Sequence, residues 1–597
     1  MNLSSTIKTI QDIMRKDAGL DGDAQRIGQL AWMLFLKVFD QREDEWEDDD
    51  ARYQSPLPED CRWRNWAAYL VDNQGKMQPQ MKPSELIEYV NNTVFPQLKE
   101  LEVHGDLKKQ VIRSVFEDSN NYMKSGTLLL EVIEKLEEGI DFHDLKERQQ
   151  MGDIYEQILN DLRSAGNAGE FYTPRALTHF MVQRVNPRLD KRETVLDPAC
   201  GTGGFLTASI DHLHAQLTAQ SSTADKAAIE ASIFGFEKKQ LPHLLCSTNL
   251  LLHGIDVPSQ IEHRNTLAKG WNEWSPLDRR DCIITNPPFG GIEEGTSGND
   301  YPADTRSRET ADMFLVLIID KLLKSGGRGA VVLPDGTLFG EGVKAKVKKK
   351  LLDECSLHTI VRLPNGVFSP YTGIKSNLLF FTKGKPTETI WYYEHPYPAG
   401  YKSYSKTKPI RLEEFQAEKD WWGDEADGFA ARVENARAWK VDFKALKDDA
   451  ESRAQPHWDK AEQLGNQASD MESNIKGLRD SIKGDKDAVQ RLAVEEQIAA
   501  LRLEVEALRQ QERDERSAGD RIFWPIYNLD RKNPNAPEAA SHDPDVLLEK
   551  YQRLLAEIAA VQDELKAELA GALLGEEPLT PTPHPAASSV VPQGARG

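Results

Sequence analysis

Only five cysteines occur among 597 residues, odd in number and scattered at Cys61, Cys200, Cys246, Cys282 and Cys355. That spacing offers neither a disulfide framework nor the paired ligands of a zinc site, and it suits a reducing compartment. Long apolar runs are missing as well. The longest, Leu30 to Phe39, contains Lys37 and is too short to span a bilayer. With no signal-peptide pattern at the amino end, the expectation is a soluble, cytoplasmic chain without a membrane partner. Positive charge is in deficit: 74 Lys and Arg stand against 96 Asp and Glu, a net charge of −22. A chain gripping nucleic-acid phosphates unaided would be basic somewhere, so any such grip is local or borrowed from a partner. No Gly-x4-Gly-Lys-Ser/Thr loop is present, which argues against nuclease-motor activity.

What is present is enough apolar material, 39% of residues, to build several cores; the length alone suggests about three to six domain-sized units. Residues 1–145 read as a helical domain. Ile27, Leu30, Ala31, Leu34, Phe35 and Val38 recur at helical spacing, and Leu128, Leu129, Val132, Ile133 and Leu136 form a second such face. From Glu43 to Asp50 every residue except Trp46 is acidic, which reads as a solvated helix end. Trp63 and Trp66 read as packing residues.

Strands and helices alternate over residues 146–395, the pattern of an α/β, doubly wound sheet. Two stretches within it carry chemistry. The apolar strand Cys282–Thr285 runs into Asn286-Pro287-Pro288-Phe289, and two prolines cannot continue a ladder. The chain must turn at the strand's carboxyl end, where such sheets place ligands. There the Asn286 amide and the Pro287 carbonyl could accept hydrogen bonds from an exocyclic amino group while Phe289 stacks on its ring. Asn-Pro-Pro is also an ordinary turn sequence. A second motif weighs against that: Asp197-Pro198-Ala199-Cys200-Gly201-Thr202-Gly203-Gly204-Phe205 links a short strand to a helix. Glycines there admit a ligand close to the backbone beside a helix amino end. The pair is similar to the cofactor and target motifs of amino-group methyltransferases that use S-adenosylmethionine.

Other residues join by context. In Glu170-Phe171-Tyr172-Thr173-Pro174-Arg175, Thr173 reads as an N-cap with Pro174 at the first helical position, and the aromatic loop offers a wall to a ring-bearing ligand. Glu237, ending the strand Ser232–Phe236, suits the two hydroxyls of a ribose. The loop Gly290–Glu309 reads as mobile, either a lid or DNA contact through Arg306 and Arg308 or an inert flexible loop. Lys344, Lys346, Lys348, Lys349 and Lys350 form the most evident basic patch, although lysine on an exposed helix face is usually just solvated. Residues 396–575 read as a helical, coiled-coil region for docking a partner. Its seams are Met471/Ile475/Leu478/Ile482, Val494/Ile498/Leu501/Val505/Leu508 and Leu547/Tyr551/Leu554/Ile558/Val561/Leu565, with an intramolecular hairpin as the alternative. Residues 576–597 read as a disordered tail.

Together the Glu170–Arg175 box, the glycine turn, Asn-Pro-Pro-Phe and Gly373-Ile374-Lys375-Ser376-Asn377-Leu378-Leu379-Phe380-Phe381 resemble the modification subunit of type I restriction–modification systems, an adenine-N6 DNA methyltransferase family. The resemblance implies a Rossmann-like methyltransferase sheet flanked by the two helical regions. It implies S-adenosylmethionine bound by Glu170, Phe171, Tyr172, Thr173, Pro174, Arg175, Asp197, Gly201, Thr202, Gly203, Gly204 and Glu237, and the target adenine held by Asn286, Pro287 and Phe289. Where the family carries an acidic residue for the cofactor's adenine amino group, this chain has Asn265, whose amide oxygen can accept that bond without charge assistance. Double-stranded DNA, a specificity subunit shared by two copies of this chain, and a separate restriction–translocase subunit are the implied partners. The expected reaction is direct methyl transfer to a flipped-out adenine. Protein glutamine or RNA as methyl acceptor, and a non-catalytic assembly scaffold, remain open at this point.

Overall fold

The computed structural model describes residues 3–71, 77–139, 155, 172–289, 291, 300–369, 371–405, 407–483, 488–535 and 544–574. Glu170, Phe171, most of the loop after Phe289 and the tail 576–597 lie outside these described residues. Among the described residues no helix is long and apolar enough to cross a membrane.

Nine strands form one sheet: β1 (Val195–Asp197), β2 (Ile233–Glu237), β3 (Ile261–His263), β4 (Arg280–Thr285), β5 (Leu323–Pro334), β6 (Cys355–Arg362), β7 (Ser376–Lys383), β8 (Thr389–Glu394) and β9 (Ala438–Asp442). Their spatial order is β3-β2-β1-β4-β5-β7-β6-β8-β9. Strands β1 to β5 are mutually parallel, whereas β7 runs antiparallel to both its neighbours. The chain winds outward from β1 to β3 and then returns to β4 on the other side of β1. That reversal opens a crevice at the carboxyl ends of β1 and β4. Val195, Leu196, Ile283 and Ile284 are all buried, as a parallel sheet covered on both faces requires. The sheet does not stop at the expected boundary of residue 395. Strand β9 pairs with β8, and its Trp439 stacks on Tyr392 with ring centroids 5.1 Å apart.

The amino-terminal region is helical, as expected. Helices α1 (Leu3–Met14), α2 (Asp23–Asp49), α3 (Leu107–Phe116) and α4 (Gly126–Gly139) share one core, in which Trp32 meets Phe95 and Phe35 meets Phe116 edge to face. The acidic run is not the plain solvated end expected of it. Glu43 is buried, accepting from Tyr53 at 2.9 Å with Arg62 at 3.3 Å, while Arg64 reaches Asp40 at 2.9 Å and Asp44 at 2.7 Å. Two arginines that follow the run in sequence fold back onto its first half, while Asp48 and Asp50 are exposed. Trp63 and Trp66 are buried packing residues.

Helices α5 (Arg175–Val185), α6 (Gly204–His214), α7 (Gln240–Leu252), α8 (Thr310–Leu317) and α9 (Val343–Glu354) belong to the sheet region. Four of the five lysines of α9 are engaged: Lys344 pairs with Glu309 and Asp312, Lys349 with Asp353, and Lys350 with Asp320. Lys348 is buried and donates to the carbonyls of Leu338 and Gly340. Helices α10 (Phe443–Ser481) and α11 (Ala488–Phe523) pack along each other as an intramolecular hairpin. Ala454, Ala461, Ala468 and Ile475, spaced by seven, form the buried seam, so small side chains set a close approach. Helix α12 (Pro544–Leu574) belongs to a separate compact unit, residues 534–597. Its Tyr551, Leu554, Ile558, Val561 and Leu565 are all exposed.

Candidate active site

The glycine turn after β1 is shaped by steric need. Gly203, with φ +83°, caps α6, and a Cβ there would lie 2.8 Å from the Cys246 sulfur. Gly201 also has positive φ, and the backbone N–H of Cys200 donates to the Phe236 carbonyl at 3.0 Å, tying the turn to β2. The sulfurs of Cys200 and Cys246 touch at 3.9 Å beneath the turn, a proximity that positions 46 residues apart do not announce.

Glu237, buried at the end of β2, is where a ribose-binding carboxylate was expected. One of its oxygens accepts from the N–H of Gly201 at 2.9 Å and the other from Lys239 at 2.7 Å. Burial raises its pKa, partly offset by those N–H groups. The neighbouring Asp197 is also buried, and desolvation pushes it up to about 7 although Thr285 and the Ala199 N–H bond its carboxylate.

A pocket lies over this rim. Gly201, Glu237, Asn265 and Asn286 line it, together with Pro198, Ala199, Phe236, Leu267, Pro288 and Phe314. The glycine turn and the Asn-Pro-Pro segment therefore converge on one crevice, 85 residues apart in sequence (286 − 201). The apolar wall of Phe236, Leu267 and Phe314 was not singled out from sequence, because nothing local marks those residues. Arg264 lies flat over Phe236, its guanidinium carbon 3.8 Å from the ring centroid.

The remaining expected residues fall differently. Asp197 is not in the pocket lining; its carboxylate accepts from the Thr285 hydroxyl at 2.6 Å and braces β1 against β4. Gly203 faces Cys246, and Gly204 faces Thr178. The backbone carbonyl of Thr202 accepts from Asn249 at 3.2 Å. Asn265 lines the pocket, yet its side-chain oxygen caps the turn Thr266–Ala268 by accepting from the Leu267 N–H at 3.1 Å. Pro287 is buried, whereas the Pro288 carbonyl is taken by the Thr310 hydroxyl at 2.8 Å. Phe289 packs edge-on to Phe368, centroids 6.2 Å apart, outside the pocket lining.

Thr173 is not the N-cap that its sequence context suggests. Helix α5 begins at Arg175 with Pro174 in the cap position and no side-chain cap bond. The Thr173 hydroxyl instead accepts from the side-chain amide of Asn286 at 3.1 Å. Tyr172 is buried in the amino-terminal core, and Arg175 contacts His179 at 3.2 Å. The amide oxygen of Asn286 is buried with no hydrogen-bond partner, an acceptor held at the pocket.

Comparison with known proteins agrees with this geometry. Residues 146–460, more than half of the chain, match the family described as N-6 DNA Methylase, and residues 3–136 match the HsdM N-terminal domain. The EcoEI methylase subunit of a type I restriction enzyme, from Escherichia coli, is 49% identical over 579 residues, spanning 97% of this chain and 99% of that one. A crystal structure described as a modification subunit of a putative type I restriction enzyme from Vibrio vulnificus YJ016 superposes with a TM-score of 0.62 at 39% identity, over 74% of this chain and 92% of that one. A chain from a structure of complex assembly in the type I R-M system gives 0.67 at 29% identity, over 96% and 99%. This chain belongs to the N-6 DNA methylases as the methylase subunit of a type I restriction–modification system, and it methylates adenine N6 in DNA with S-adenosylmethionine as donor.

Proposed function

We propose that Asn286 and Pro287 hold the amino group of an extruded adenine. The observation that carries this is the buried, unpartnered amide oxygen of Asn286 at a pocket whose far side is the glycine turn. A buried acceptor without a donor is unfavourable by roughly 1–3 kcal/mol, and a donor that arrives with the substrate at this pocket relieves that cost. The N6 lone pair of adenine is delocalised into its ring. Hydrogen bonds from N6–H to Asn286 Oδ1 and to the Pro287 carbonyl favour a pyramidal, more nucleophilic nitrogen. Phe289 supplies a face for the base, worth about 1–3 kcal/mol against the cost of unstacking.

The chain's residues fit S-adenosylmethionine. Glu237 is oriented by the backbone N–H groups of Gly201, Lys238 and Lys239 with its carboxylate at the pocket, where it can accept from ribose hydroxyls, and Gly201 removes the side chain that would bar the approach. Glu170 to Tyr172, Pro174, Arg175, Asp197 and Thr202 to Gly204 support that ligand, Asp197 by bracing the turn, while Thr173 serves Asn286. When bound, it supplies an electrophilic methyl group. The protein accelerates the transfer chiefly by holding two reactants in line, since no covalent intermediate with the chain is needed.

The net charge of −22 favours DNA recognition through a partner. The reading is one helical domain at 1–145, a methyltransferase domain from 146 that includes strand β9, and carboxyl-terminal helices that dock a specificity subunit, with two copies of this chain per specificity subunit and a restriction–translocase subunit able to join. The exposed apolar stripe of α12 supports this docking role. The test is methylation of unmodified DNA by the chain reconstituted with its specificity subunit. Asn286→Ala and Phe289→Ala should abolish N6-methyladenine while S-adenosylmethionine binding survives; near-normal turnover in either would remove that residue's assignment.

A further inference from the structure

Thr173 departs from the cofactor-binding role that the resemblance implies for it, because its hydroxyl neither caps α5 nor lines the pocket. It accepts from Asn286 Nδ2 at 3.1 Å, which leaves Asn286 Oδ1 as the buried acceptor at the pocket. The Thr173 carbonyl lies beside the glycine turn, 4.0 Å from where a Cβ on Gly204 would sit. Thr173 thus lies between the start of α6 and the Asn-Pro-Pro strand end.

We infer that Thr173 is a positioning residue for methyl transfer, fixing the angle of the Asn286 carboxamide at which its oxygen meets the adenine amino group. The inference rests on the proposed role of Asn286. The terminal torsion of an asparagine is broad and roughly two-fold, so an unanchored amide samples many angles, and its two ends are nearly isosteric. A hydroxyl can donate as well as accept, so the bond alone would tolerate a flipped amide. The N6–H donors of adenine select the orientation with Oδ1 inward, and in that orientation Thr173 must accept from Nδ2. Productive geometry requires such a group to stay within about 0.5 Å and 10–20° of its ideal position, and the Thr173 hydrogen bond contributes that restraint.

The test uses the full chain reconstituted with its specificity subunit. It compares wild type with Thr173→Val, which keeps the shape but removes the acceptor, with Thr173→Ser, which keeps the hydroxyl, and with Asn286→Ala. Single-turnover rate, KM for DNA, thermal midpoint and S-adenosylmethionine affinity by calorimetry are measured for each. The expected result for Thr173→Val is a rate loss of about 10- to 100-fold with DNA KM and cofactor affinity within about two-fold of wild type. Thr173→Ser should recover to within about three-fold. An unchanged rate in Thr173→Val, a Thr173→Ser variant as slow as Thr173→Val, or a parallel collapse of cofactor affinity would each overturn the inference. If Thr173→Val does not fold, Thr173→Ala carries the same comparison against Thr173→Ser. Full activity in Asn286→Ala would instead bring down the underlying reading of the target site.

Discussion

The Thr285 hydroxyl donates to the Asp197 carboxylate across 2.6 Å, joining the carboxyl ends of β4 and β1. Burial, with the charge of nearby Glu237 adding to it, pushes Asp197 up to about 7. A carboxyl whose folded pKa is raised binds its proton more tightly folded than unfolded. Its contribution to stability is full below the ordinary carboxylate range and is lost as pH rises through about 7. Urea unfolding of the chain at pH 5 and pH 8 should therefore show a larger loss of stability for wild type than for Asp197→Asn, which keeps an acceptor for Thr285 but does not titrate. Equal pH dependence in the two proteins would refute the assignment.

Gly203→Ala is expected to lower stability by more than backbone strain alone. The positive φ costs an alanine about 1–2 kcal/mol, and the new Cβ would also meet Cys246 Sγ at 2.8 Å. Gly254, with φ +87° and open space around it, isolates the backbone strain when it is changed to alanine. Denaturant midpoints of the two variants should differ, Gly203→Ala being the lower, and only Gly203→Ala should weaken cofactor binding.

Glu237→Gln should reduce S-adenosylmethionine affinity about ten-fold or more, because a charged acceptor of ribose hydroxyls becomes a neutral amide whose NH2 also faces a backbone N–H. Calorimetry reads this directly. Unchanged affinity would mean that the ribose lies elsewhere.

Leu554→Glu and Ile558→Glu, on the exposed stripe of α12, should leave the thermal midpoint of the isolated chain unchanged, since both side chains are about half exposed. Co-purification with the specificity subunit should fail in the double variant. Retention of the complex would transfer the docking role to another surface.

Motif chemistry was readable wherever it is local. The glycine turn, the Asn-Pro-Pro strand end and Glu237 each announce themselves within a few residues, and the pocket brings all three together. What depended on distant residues was not readable. The first half of the acidic run 43–50 looked solvated because Arg62 and Arg64, which pair with Glu43, Asp44 and Glu47, come later in the chain. The lysines of α9 looked free because Glu309, Asp312 and Asp320 precede them. Thr173 looked like a cap because the competing partner for its hydroxyl lies 113 positions away. The heptads of α10 and α11 were visible as seams, but a heptad does not name its partner, and theirs is each other.

Helix α7 serves two masters. Leu244, Leu245, Leu251 and Leu252 are buried in the amino-terminal core, and Gln240 donates to the carbonyls of Ser114 and Val115 in α3. On the same helix Cys246 and Leu250 pack under Gly203, and Asn249 reaches Thr202. Cutting away the first 139 residues would strip four leucines of their cover, at roughly 1.5–3 kcal/mol apiece, and loosen the very rod on which the donor's cradle rests. The catalytic half is thus not a detachable module: an enzyme trimmed to its sheet should neither fold soundly nor hold its cofactor.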